Sequence, residues 1–214
     1  MKKIIYLFCL ICTITLAKGQ YYRPDRGFLP GINAGYFYPT GDMGKILKNG
    51  IGGNVSAKYL INKMIGIGFE AGYYGFKTKD NLNRDDVSQK YKYHLIPVLL
   101  EATFYVPTWN RTTLPYLGIQ FGGYFSQLDV GRQYTGYSAS HSFQKHLFLF
   151  STGVGLHGGL LFQLSDKVWM DLKVRADYVP RIDDAYEYNE YTQGNIGFNK
   201  MLNIGGNIGL LYRF

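Results

Sequence analysis

The 214 residues suffice for one ordinary domain, and glycine (27) and tyrosine (20) are unusually frequent in a chain that is 46% hydrophobic and 18% charged. The formal net charge is +8, but the basic residues are scattered and form no basic helix, which argues against a nucleic-acid partner. Both cysteines, Cys9 and Cys12, fall near the start of the chain, so cysteine chemistry is excluded from everything after it.

The chain opens on Met1-Lys2-Lys3, followed by an apolar run from Ile4 to Ala17 that is short for a membrane-spanning helix. Ala17-Lys18-Gly19 supplies small residues at signal-peptidase spacing, so residues 1–19 read as a secretory signal peptide and Gln20 as the mature start. Phe8 and Ile11 precede the two cysteines, where a lipoprotein signal needs a small residue. Removal of the leader also removes Lys2, Lys3 and Lys18, which reduces the basic excess.

Residues 20–214 read as one domain. After a polar lead-in at Tyr21–Leu29, alternation with a period of two predicts strands at about 31–38, 51–61, 64–76, 94–106, 115–127, 147–163, 168–179 and 201–214. Long polar links (39–50, 77–93, 128–146, 180–200) alternate with short ones (62–63, 107–114, 164–167). One turn of helix is expected at Met43–Leu47.

One face of every strand is free of charge. It runs through Ile32 and Tyr36, through Ile51, Val55 and Tyr59, through Ile65, Phe69 and Tyr73, and on to Ile204, Ile208, Tyr212 and Phe214. The opposite face carries Lys58, Glu70, Glu101, Asp171, Lys173, Arg175, Asp177 and Arg213, together with many glycines. Period two alone does not say which face points outward; a soluble ligand-binding barrel would turn the apolar face inward. Three features favour an apolar exterior in a membrane. Glycine is concentrated on the polar face, where a narrow tube needs small residues; outward aromatics cluster at strand ends; and the last residue is Phe214. Trp169 has inward parity, so a bulge or an interfacial position is expected there. An open edge in lipid would strand backbone groups, so the predicted fold is all-β: an eight-stranded antiparallel transmembrane β-barrel, an up-and-down meander closed between its first and last strands.

Several segments carry a family resemblance. They are the first strand ending in Tyr38-Pro39-Thr40-Gly41-Asp42, Phe69-Glu70-Ala71-Gly72-Tyr73, His94-Leu95-Ile96-Pro97-Val98-Leu99-Leu100, and the ending Tyr212-Arg213-Phe214. On these the chain resembles the small eight-stranded outer-membrane barrels: the OmpA transmembrane domain, OmpX, OmpW-like proteins and the small barrels of Bacteroidetes. The resemblance implies an integral place in the cell outer membrane, with both termini periplasmic and the long loops outside. It implies outer-membrane lipid and lipopolysaccharide as surroundings, and Tyr212 and Phe214 as the signal read by the barrel assembly machinery. The chain is expected to stop at the barrel, without a peptidoglycan-binding domain.

The eight lumen charges balance, four against four, and read as an ion-pair network filling a narrow interior. Glu70 and Glu101, on adjacent strands, are the candidate paired carboxylates. The four histidines, His94, His141, His146 and His157, show no HxH or HExxH spacing, so no metal or cofactor is expected. Ser140-His141-Ser142 is the one local candidate for a lipid-modifying triad, but no acid can be assigned to it. Loop four offers Asp183, Asp184, Glu187, Glu190, Tyr186, Tyr188 and Tyr191 to a protein or glycan partner, to an ion at Asp183-Asp184, or to solvent alone; loop two mixes Lys77, Lys79, Arg84, Lys90 and Lys92 with Asp80, Asp85 and Asp86, which suits lipopolysaccharide phosphates or simple solvation. The expected function is non-enzymatic: a structural or surface-interaction role, accessory to a secretion or surface system. The alternative is a narrow channel for small solutes or hydrophobes, and the third reading is a lipid A-modifying enzyme.

Overall fold

The computed structural model describes residues 26–41, 43–79, 87–106, 112–134, 142–180 and 200–214. The expected leader (1–19), the acids and tyrosines of loop four, and Ser140-His141 lie outside them.

Eight strands close into one antiparallel barrel in sequence order. They are β1 (Gly27–Gly41), β2 (Leu47–Leu60), β3 (Ile65–Thr78), β4 (Val87–Tyr105), β5 (Thr113–Tyr134), β6 (Ser142–Gln163), β7 (Val168–Val179) and β8 (Met201–Tyr212). A single turn, α1 (Met43–Ile46), follows β1. Gly41 makes that departure possible: its φ is 72°, in the left-handed region that glycine adopts without a Cβ penalty. Closure runs between β1 and β8, in register from Gly31↔Leu211 to Gly41↔Met201, and satisfies the edges that a sheet would otherwise leave open.

All eight strands fall where alternation places them, and the differences lie at their ends. β1 starts at Gly27, inside the expected lead-in, and β2 starts at Leu47. The expected loops 77–93 and 128–146 are largely strand, since β4 begins at Val87, β5 runs to Tyr134 and β6 begins at Ser142. β5 and β6 stay paired out to Gln133↔Ser142, whereas β6 and β7 part at Val154↔Tyr178. A three-stranded wall therefore rises above the rim on one side. On its outward parity the sequence is polar (Ser88, Lys90, Lys92, Gln133, Ser142 and Gln144), so the apolar outward face that marks the strands below stops at the rim.

The apolar face points outward. Ile51 is 69% exposed, Phe121 60% and Val174 64%, and the intervening residues are buried along most of each strand. An apolar band this continuous is far larger than the patches that soluble monomers expose. Trp169 needs no bulge. The ladders run through it without interruption (Gln163↔Trp169↔Leu211), and it is buried in the lumen.

The lumen is packed in layers. At the long-loop end Phe37, Met43, Leu47, Tyr74, Phe76, Tyr93, Leu95, Leu99, Tyr124, Val179 and Met201 form one apolar cluster. At the short-turn end Leu29, Leu60, Tyr105, Leu114, Tyr116, Leu161, Trp169 and Leu211 form another. Glycine on the facing strand makes the room. At Gly122, for example, a Cβ would meet the Leu99 Cα at 2.9 Å, so no side chain fits there without moving the neighbouring strand.

Candidate functional site

The middle of the barrel, between the two apolar clusters, holds the buried charges. β7 supplies a column of them: Asp171, Lys173, Arg175 and Asp177 occupy alternate positions and therefore share the lumen face. Lys58 comes from β2, Glu70 from β3 and Glu101 from β4. All seven are buried.

Glu70 is the hub. It accepts from Lys173 through Oε2 and from Arg175 through Oε1. Arg175 also grips Asp177, with Nη2 at 2.7 Å and Nε at 2.9 Å from Oδ2. Its guanidinium lies 5.4 Å from the centre of the Phe37 ring, so the cation meets the lower surface of the long-loop plug. Lys58 forms the second centre, 3.2 Å from Asp171 Oδ2 and 3.5 Å from Glu101 Oε1. It also stands 4.9 Å from the centre of the Tyr116 ring, and Tyr116 donates its hydroxyl to Asp171. Lys173, 4.0 Å from Glu101 Oε2, joins the two centres.

Two expectations are corrected here. Glu70 and Glu101 are not a carboxylate pair. The register sets Glu70 opposite Leu99 and Glu101 opposite Gly68, and Lys173 stands between the two carboxylates. Arg213 does not join the lumen charges. It lies past the end of β8, half-buried at the short-turn rim, where its backbone N–H donates to the Lys167 carbonyl at 2.7 Å. Without Arg213 the belt holds three cations against four carboxylates.

Sequence parity turns His157 toward the lumen among glycines, and the structure places it there. It is buried, with Nε2 3.3 Å from Thr103 Oγ1 and 3.9 Å from Glu101 Oε2. Gly118 on β5 directly faces it and leaves the space that the imidazole fills. The inward parity is legible in the sequence, whereas the pairing with Gly118 needs the register to be seen. An amide layer adjoins the belt: Asn33 donates to Asn54 at 2.5 Å and to Ser56 at 3.3 Å, and Asn54 donates to the Tyr74 hydroxyl at 2.7 Å.

At the other sequence-assigned site, Tyr212 and Phe214 pack edge to face with centroids 4.9 Å apart. The Phe214 ring also lies 6.4 Å from that of Phe28, and its N–H donates to the Phe28 carbonyl at 3.1 Å. The ring remains 77% exposed on the outer surface. Among the described residues no group of three or more histidine, cysteine or acidic side chains could hold a metal ion.

A closed eight-stranded meander, apolar outside and charged within, decides the architecture. The fold is that of the small outer-membrane barrels. Neisserial surface protein A has it, with 18% identity, 87% of this chain and 97% of that one covered, and a TM-score of 0.56. So does Ail, the attachment invasion locus protein of Yersinia pestis, in complex with the heparin analogue sucrose octasulfate: 15% identity, 89% and 100% covered, TM-score 0.51. The outer-membrane protein OprG of Pseudomonas aeruginosa is also similar, at 14% identity, 92% and 99% covered, with a TM-score of 0.49. No protein-family model matches the sequence, and no curated protein matches it.

Proposed function

We propose that this chain is an integral outer-membrane barrel whose lumen is closed and whose work is done at its long-loop end. The apolar band lies in the bilayer, both strand-bearing termini face the periplasm, and the long connections and the raised β4–β6 wall stand outside the cell. The role is structural or interaction-based, as an accessory of a secretion or surface system.

The observation that carries this reading is the pair of apolar plugs. A solute would have to pass the Phe37–Tyr74 layer, where the ring centroids are 4.4 Å apart, then the ion-paired belt, then the Tyr105–Tyr116–Trp169 layer. Eight strands enclose a space narrow enough for side chains to close. The fold-mate Ail, an attachment invasion protein, gives the interaction class a precedent.

The channel reading keeps one observation in its favour. Among the described residues, both Glu101 oxygens, His157 Nδ1, Gln120 Oε1 and the Asn207 amide are buried without a hydrogen-bond partner, so water has places to bind between the plugs. Planar-bilayer recording separates the two. A barrel verified as folded by its heat-dependent shift in SDS gels should give a silent bilayer. Unitary steps that change with Arg175→Ala would establish the channel instead.

A further inference from the structure

Lys77 on β3 and Lys92 on β4 are direct partners in the ladder, and both are exposed on the outward face. Like charges facing each other across a ladder destabilise it. Lys48 and Asn49 lie beside Lys77 at the irregularity between Leu47 and Gly50. On the far side of Lys92 the register brings Asp129. By register Lys48, Lys77 and Lys92 therefore stand in one row. Lys79 is engaged elsewhere, its ammonium donating to the Gly44 carbonyl.

One step below the lysines, Gly75 faces His94. The glycine leaves a notch: a Cβ there would only touch His94 Nδ1, at 3.7 Å. The imidazole is held in place, stacked on Tyr73 with centroids 5.4 Å apart and an interplanar angle of 20°, and its Nδ1 is 2.7 Å from the Tyr73 hydroxyl. With the phenol donating to Nδ1, Nε2 keeps its hydrogen and can donate to a ligand.

The height of this cluster fixes the partner. Tyr73 closes the apolar band on β3. Four residues of strand separate it from Lys77, about 13 Å of chain, or about 10 Å of height at a tilt near 40°. That level is occupied by headgroups. We propose that Lys77, Lys92 and His94 form a binding site for the phosphate of an anionic lipid in the outer leaflet, with Gly75 providing the notch that admits it. The site rests on the membrane reading above.

Titration of the full detergent-solubilised chain with diphosphoryl lipid A, followed by native mass spectrometry, tests it. The parent should retain the lipid. The double variant Lys77→Gln/Lys92→Gln should bind roughly 20-fold more weakly, at roughly fivefold per lysine. Lys63→Gln/Lys167→Gln, at the opposite rim, should bind as the parent does, and millimolar inorganic phosphate should not displace the lipid. Equal binding by the Lys77/Lys92 variant overturns the site, and so does a parent that shows the heat-dependent gel shift but takes up no lipid A. Displacement by inorganic phosphate overturns the assignment to lipid in favour of a free anion. A parent without the heat shift would instead overturn the barrel reading beneath the site.

Discussion

Replacing Glu70 by alanine should destabilise the folded barrel by about 3–5 kcal/mol, the cost of stranding buried charge by removing its partner. Glu70 is 0% exposed and accepts from Lys173 and Arg175 at once. Without it, among the described residues, Asp177 is the one carboxylate left paired with Arg175, and Glu101, at 4.0 Å, the one left to Lys173. Neither cation can turn to water, because an apolar plug closes the lumen above and below. Urea unfolding from lipid vesicles, read by the heat-dependent gel shift, measures the loss. Glu70→Gln retains the shape and one acceptor and should lose less. Adding Lys173→Met to Glu70→Ala should recover part of the stability, since it removes one of the two stranded cations. Equal stability of Glu70→Ala and the parent would mean that water reaches the belt and that the lumen is not sealed.

Leu100→Arg should cost about 2–4 kcal/mol, whereas arginine at Phe148, on the rim, should cost about 0–1. Leu100 is 53% exposed at mid-band, opposite Phe69 on one side and Phe121 on the other. A solvated exterior would accept arginine at both positions equally. The contrast between the two substitutions in vesicle unfolding therefore reports the medium around the barrel, independently of the lumen.

The strand positions and the two faces were legible because one physical rule, no charge toward lipid, acts on every second residue of every strand. The β7 column of Asp171, Lys173, Arg175 and Asp177 could be read directly for the same reason. The plugs could not. Tyr74, Tyr93, Tyr105 and Tyr116 share the inward face with glycines and charges, and parity alone does not separate a plug from a pore lining. Their layering appears only once the register aligns strand ends from distant parts of the chain. Arg213 has inward parity, but the ladder ends at Tyr212, so the parity no longer assigns it to the lumen. Trp169 has inward parity, from which the sequence reading expects a bulge or an interfacial position. It is accommodated because the short-turn end is filled with apolar side chains, Leu161 and Leu211 among them. The Lys77–Lys92 pairing is likewise a fact of register, invisible in two lysines fifteen residues apart.

The proposed barrel wall is dry outside and closed inside. Spin labels placed singly along β4, with Cys9 and Cys12 replaced by serine, test this directly when their relaxation by oxygen and by a water-soluble nickel chelate is compared in vesicles. Labels at Val98, Leu100 and Ala102 should respond to oxygen and not to nickel, and labels at Leu99 and Thr103 should be shielded from both. Nickel access at Val98, Leu100 and Ala102 would contradict the membrane exterior, and nickel access at Leu99 and Thr103 would contradict the sealed lumen.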